Sequence, residues 1–123
     1  MKSCTEVILT RRSVKKYLPD MPKKADIDKV IEAGLAAASG RNLQASVIVA
    51  VTNKEIRDRL AADNAAVMGA NTDPFYGAPC VLVVLGSKSA HTYVYDGSLT
   101  LGNMMLAAHE AGLGSCWIHR AKE

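Results

Sequence analysis

Thr10-Arg11-Arg12-Ser13-Val14-Lys15-Lys16 places four cationic side chains and a serine hydroxyl in one short run. Guanidinium groups present planar forks of donors, so Arg11 and Arg12, with the Ser13 hydroxyl, can satisfy several oxygens of a phosphate dianion. Lys15, two residues on in an extended stretch, projects from the same side as Ser13. Alone, the run also fits a solvated helix end, where cations are favoured. Residues 1–24 hold seven Lys or Arg against Glu6 and Asp20, a local +5 in a chain whose net charge is +3. So local a cluster argues for a specific anionic ligand rather than the broad positive stripe of a nucleic-acid binder.

Two further segments are candidates. In Ser39-Gly40-Arg41-Asn42-Leu43-Gln44 the amides of Asn42 and Gln44 offer donor and acceptor edges suited to a heterocycle, although an ordinary helix-to-strand turn explains the same letters. In Gly112-Leu113-Gly114-Ser115-Cys116-Trp117-Ile118-His119 the glycines permit close backbone approach to a ligand, or simply cap a helix before a strand. There is no GxGxxG after an early strand, no GxxxxGK[ST] and no HExxH, and no metal site is expected. His109 reads as a hydrogen-bonded core histidine.

These segments need elements to hold them. Ser3 or Thr5 caps a first helix ending near Thr10, and Leu18-Pro19-Asp20-Met21-Pro22 forces an extended stretch. Ile27, Val30, Ile31, Leu35 and Ala38 recur at helical spacing until Ser39-Gly40. Val47 to Val51 reads as a strand, and Asn53 caps a helix to about Asn64. Asn71 to Pro79 is a loop leading into a second strand, Cys80 to Leu85, apolar throughout and so expected to be covered on both faces. A helix from Tyr95 or Asp96 to Ala111 is apolar round nearly its whole circumference, which predicts burial against a second subunit. Gly114 to Ile118 is expected to be a third strand.

The 123 residues, 49% hydrophobic and 22% charged, fit a single globular domain, 1–123. Cys4, Cys80 and Cys116 are too few and too scattered for a disulfide framework and read as reduced, buried thiols. Without a signal-peptide h-region or a run of roughly 18 apolar residues, the chain is expected in the cytoplasm, with no membrane partner. Six aromatic residues, none in the basic run, argue against RNA.

Taken in order, Arg11-Arg12-Ser13-Val14-Lys15, Ser39 to Gln44, Tyr76-Gly77-Ala78-Pro79 and Gly112 to Ile118 give the chain a resemblance to the flavin-dependent nitroreductases over residues 3 to 120. The resemblance implies an α/β (α+β) fold, a mixed sheet flanked by helices, and a homodimer with FMN at the interface and the long apolar helix in the dimer core. By similarity, Arg11, Arg12 and Ser13 hold the FMN phosphate, and Lys15 lies near the N1 and O2 edge of the isoalloxazine, where a cation stabilises the reduced ring. Ser39, Gly40, Asn42 and Gln44 contact the cofactor from the partner subunit, Asn71 is a further contact, and Ile118 and His119 set their backbone against the flavin. The implied activity is ping-pong hydride transfer from NADH or NADPH, through flavin N5, to a nitroaromatic, quinone or related electrophile, without a catalytic side chain. The alternative is a flavin-binding or degenerate dimeric scaffold without turnover. Family members usually follow the Asn-x-Gln loop with Pro-Trp where this chain has Ala45-Ser46, and they usually run tens of residues further, so this chain reads as a C-terminally shortened member.

Overall fold

The structure, a computed structural model, describes residues 2–122. Helix α1, Cys4–Thr10, opens with a reciprocal capping box: Glu6 N–H donates to Ser3 Oγ at 3.2 Å, and Ser3 N–H donates to Glu6 Oε2 at 2.8 Å. Two of the four orphan donors of the first turn are thereby satisfied, which lets so short a helix form. Thr10 Oγ1 lies 2.9 Å from His109 Nε2 and ties α1 to the last helix. His109 is thus hydrogen-bonded as expected, although half-buried rather than deep in the core.

Helix α2, Lys24–Leu35, packs its Ile27, Val30 and Gly34 face inward. It stops short of the expected Ala38: Ala36 caps it, and the chain turns away towards the Ser39–Gln44 loop. Helix α4, Tyr93–Glu110, lies against α2 and buries a stripe at every fourth position, Asp96, Thr100, Met104 and Ala108. Close approach of the two helices requires Gly34, where a Cβ would sit 2.7 Å from Met104 Cγ. Asn103 Nδ2 donates to Ala33 O at 3.0 Å and fixes their relative height. Val30, Met104 and Ala108 form the buried centre, flanked by Ile48, Leu82, Val84, Leu101, Ala107 and Leu113. Full burial of a side chain such as Met104 contributes about 1.5–3 kcal/mol.

Strands β1, Val47–Val51, and β2, Val81–Leu85, pair antiparallel, with Val47 opposite Leu85, Val49 opposite Val83 and Val51 opposite Val81. Their Ile48, Leu82, Val84 face meets the core. The other face is open at one end, with Val47 at 56% and Leu85 at 51% exposure, while Val51 is buried and Val81 and Val83 are half-buried, so the chain itself supplies only part of the second cover expected for β2. Helix α3, Lys54–Met68, is capped by Asn53, whose Oδ1 accepts Ile56 N–H at 3.1 Å, and runs a turn past the expected Asn64 to a left-handed stop at Gly69.

The predicted strand at Gly114–Ile118 is not one. Among the described residues it pairs only at Ser115, which bridges Ser13 in parallel, Val14 N–H donating to Ser115 O at 2.9 Å. A short 3₁₀ turn, His119–Lys122, follows. Within one chain α4 leaves part of its apolar circumference open, Tyr95 at 72% and Leu99 at 50% exposure, where the sequence reading expects a second subunit. Among the described residues no helix is long and apolar enough to cross a membrane.

Candidate functional site

The Val14–Ser115 hydrogen bond brings the basic run beside the end of the chain, and the two segments run so close that a Cβ on Gly114 would lie 3.0 Å from Val14 Cβ. Next to this junction opens a cleft of ≈ 380 Å³, lined by Ser13, Lys15, Tyr76 and the run Cys116 to Arg120. Of the residues singled out from sequence, Ser13, Lys15, Ile118 and His119 meet here. Arg11 and Arg12 flank the cleft in sequence without lining it. Arg12 Nη1 donates to Leu9 O at 3.1 Å and Arg11 O at 2.8 Å, so this side chain covers the open carbonyls at the end of α1. Among the described residues, Arg11 Nη1 and Arg120 Nη1 are buried without a hydrogen-bond partner.

Ser39, Gly40, Asn42 and Gln44 do not line the cleft. They form a separate loop, closed by Gln44 N–H donating to Ser39 Oγ at 3.0 Å, in which Arg41, Asn42 and Gln44 all adopt positive φ of 50–55°. Left-handed backbone at three non-glycine residues is costly and persists only where the surroundings impose it. Here the constraint is Asp96, 4% exposed, whose Oδ1 accepts Gly40 N–H at 3.0 Å and whose carboxylate accepts the Thr92 hydroxyl. Gly40 is required: a Cβ there would fall 2.1 Å from Thr92 Oγ1. Asn71 also lies apart from the cleft, in a groove along α3 beside Ala65 and Ala66.

Sequence reasoning did not single out Tyr76 or Arg120 as site residues, took Cys116 and Trp117 only as part of the Gly112 to His119 segment, and missed the support beneath Tyr76. Asp73 closes the loop that carries Tyr76, its Oδ1 accepting Phe75 N–H at 3.0 Å and its Oδ2 accepting Gly77 N–H at 2.8 Å. The run Asp73-Pro74-Phe75-Tyr76-Gly77 carries the signature of such an aspartate-capped turn, and is the signal that could have located Tyr76. Trp117 and His119 meet edge to face, ring centroids 5.3 Å apart. Behind the cleft, Tyr17 donates its hydroxyl to Val14 O, and its phenol is pushed up to about 12 by burial, with Cys116 and Tyr76 adding to the shift.

Burial alone would raise the Asp73 carboxyl. The hydrogen bond from Arg57 and those from Phe75 and Gly77 together outweigh it and hold the group below the usual carboxylate value. A depressed folded-state pKa contributes stability that is present above the unfolded-state value and lost as pH falls through the folded one. Stability should therefore fall in the acid range below the ordinary aspartate pKa. Asp73→Asn, lower in stability at neutral pH, should show a shallower acid slope in denaturation measured from pH 6 down to 3.

Helices round a small sheet, with a cationic cleft where the two ends of the chain meet, place the molecule among mixed α+β proteins with an open, ligand-sized site. A family model, Nitroreductase family, matches residues 8–73 and 64–123, and the chain belongs to that family. It is 28% identical over 123 residues to a protein of Archaeoglobus fulgidus provisionally named NADH dehydrogenase/NAD(P)H nitroreductase, covering 96% of this chain and 68% of that one. A protein of the same provisional name from Methanothermobacter thermautotrophicus is 29% identical over 116 residues, and the chain spans 58% of its length. The crystal structure of a nitroreductase with bound FMN from Bacteroides fragilis matches with a TM-score of 0.85 at 27% identity, covering 98% of this chain and 71% of that one.

Proposed function

We propose that the chain is an FMN-dependent oxidoreductase that passes a hydride from NADH or NADPH to a nitroaromatic, quinone or related electrophile, donor and acceptor using one site in turn. The observation that carries this reading is the convergence of Ser13, Lys15, His119 and Arg120 on one cleft, in a family whose Bacteroides fragilis member holds FMN. The residues fit the cofactor. A buried guanidinium nitrogen without a partner is expensive, and Arg11 and Arg120 each have one among the described residues. Phosphate oxygens are the chemistry that satisfies such donors. FMN, when bound, supplies two-electron hydride chemistry at N5.

The chain supplies binding and electrostatics. Arg11, Arg12, Ser13 and Arg120 hold the phosphate, with Arg120 added to the set read from sequence. Lys15 brings a cation to the cleft, where it favours negative charge on the bound ring. Ile118 and His119 contribute backbone at the cleft wall. Ser39, Gly40, Asn42, Gln44 and Asn71 lie elsewhere on the surface and act across a homodimer interface in this reading. The uncovered apolar residues Val47, Val49, Leu85, Tyr95 and Leu99 support such a second copy. Residues 1–123 act as one domain, and the three free thiols accord with a cytoplasmic setting.

The test is to mix the purified protein anaerobically with FMN and either nicotinamide, and to follow flavin absorbance. Bleaching, then recovery when a nitroaromatic or quinone is added, is expected. Flavin that binds yet stays oxidised with both donors would contradict a reductase.

A further inference from the structure

Arg57, the side chain that helps hold the Asp73 carboxyl low, is 8% exposed on α3, and a buried cation of this kind needs compensation. Each of its three guanidinium nitrogens has a partner. Nε donates to Ala78 O at 2.8 Å, Nη2 to Asp73 Oδ2, and Nη1 lies 3.3 Å from Asp58 Oδ1. The guanidinium carbon stands 5.4 Å from the centroid of the buried Phe75 ring. Three of these four partners, Asp73, Phe75 and Ala78, bracket Tyr76.

Tyr76 adopts a φ of 54°, unusual for an aromatic residue, and Gly77 follows at 78°. Its own N–H donates to Asp73 O at 3.2 Å, Ala78 N–H donates to Phe75 O at 2.9 Å, and Asp73 accepts the N–H groups on either side of it. The backbone at Tyr76 is held from both ends, and both holds pass through groups that Arg57 touches. The ring so placed faces the cleft, with the Lys15 ammonium 5.9 Å from its centroid. Lys15 makes no ion pair among the described residues. A lysine on a flexible four-carbon stem would otherwise sweep through solvent, and the face of an aromatic ring within about 6 Å attracts and confines it.

We propose that Arg57 is a positioning residue: through Asp73 and Ala78 it locks Tyr76 in its left-handed turn, and the Tyr76 ring holds the Lys15 cation in the cleft. The consequence for FMN rests on the function proposed above, whereas the placement of Lys15 does not. The order of action is α3, then the 73–78 turn, then the ring, then the cation.

The protein without cofactor can be reductively methylated with ¹³C-formaldehyde and the dimethyl-Lys15 signal assigned by its loss in Lys15→Arg. A ring-current displacement of that signal is expected in the wild type and in Tyr76→Phe, and its loss in Tyr76→Leu. Arg57→Lys, which keeps charge but not the forked donor set, should also lose it, with Asp73→Asn as a second route to the same strut should Arg57→Lys not fold. FMN affinity, measured by fluorescence quenching, should fall by about 2- to 5-fold in Tyr76→Leu and remain near wild type in Tyr76→Phe. A Lys15 signal unmoved by Tyr76→Leu overturns the proposal, as does one that stays displaced in both Arg57→Lys and Asp73→Asn. Ring-current behaviour as expected in a protein that binds no FMN would support the strut and count against the flavin reading alone.

Discussion

Ser13→Glu is expected to weaken FMN binding about 100-fold or more while leaving the fold intact. Ser13 lines the cleft with an exposed side chain, and its structural role is carried by main chain, the parallel bridge to Ser115. Glutamate preserves that bridge. In the cleft it replaces a donor by a carboxylate, which repels a phosphate and competes with it for the guanidinium groups of Arg11 and Arg120. Loss of a charge-assisted hydrogen bond and a like-charge contact together cost on the order of 3 kcal/mol, which is roughly the stated factor. Fluorescence-quenching titration with FMN reads the affinity, and circular dichroism with thermal melting reads the fold. A dissociation constant within about threefold of wild type would remove the phosphate from this end of the cleft.

Asp96→Val should cost about 2–5 kcal/mol in urea denaturation, because it strips two donors, Gly40 N–H and the Thr92 hydroxyl, of their acceptor in a site that is 4% exposed. The loss has a local signature as well. With the Gly40 anchor gone, the left-handed backbone at Arg41, Asn42 and Gln44 is held only by hydrogen bonds within the loop itself, so amide exchange from residues 40 to 44 should accelerate more than in β1 or α2. A change below about 0.5 kcal/mol, with exchange in this loop unaltered, would show that the carboxylate does not hold it.

Much of this architecture is written locally. The Ser3 and Asn53 caps, the Val47–Val51 strand and the inward face of α2 follow from side chains acting on their own neighbours, and the structure places them where those rules do. The departures occur where a distant partner decides. Gly114 to Ile118 has strand-like letters, but a strand needs a neighbour along its length, and among the described residues this segment meets one only at Ser115. Helix α2 ends at Leu35 although Ala36 to Ala38 favour helix, because the chain must leave it to reach the loop latched by Asp96. The apolar circumference of α4 was legible, whereas one chain buries only the stripe from Asp96 to Ala108.

The site divides the same way. Ser13, Lys15, Ile118 and His119 were legible from residue types and from likeness to a family, and one main-chain bond, Val14 to Ser115, brings them together. Arg120 and Tyr76 were not, since each becomes a cleft residue only through that closure and through the 73–78 turn. Arg57 was hidden most deeply. Beside Glu55 and Asp58 on a helix it has the look of a solvated face, and its burial depends on acceptors 16 and 21 residues away.

The most direct test is a crystal structure of the protein grown with excess FMN. Flavin density in the cleft bounded by Ser13, Lys15 and His119, with its phosphate on the guanidinium groups of Arg11 and Arg120, is the predicted result. Those guanidinium groups pointing into bulk solvent, with the cofactor absent or seated elsewhere, would contradict it.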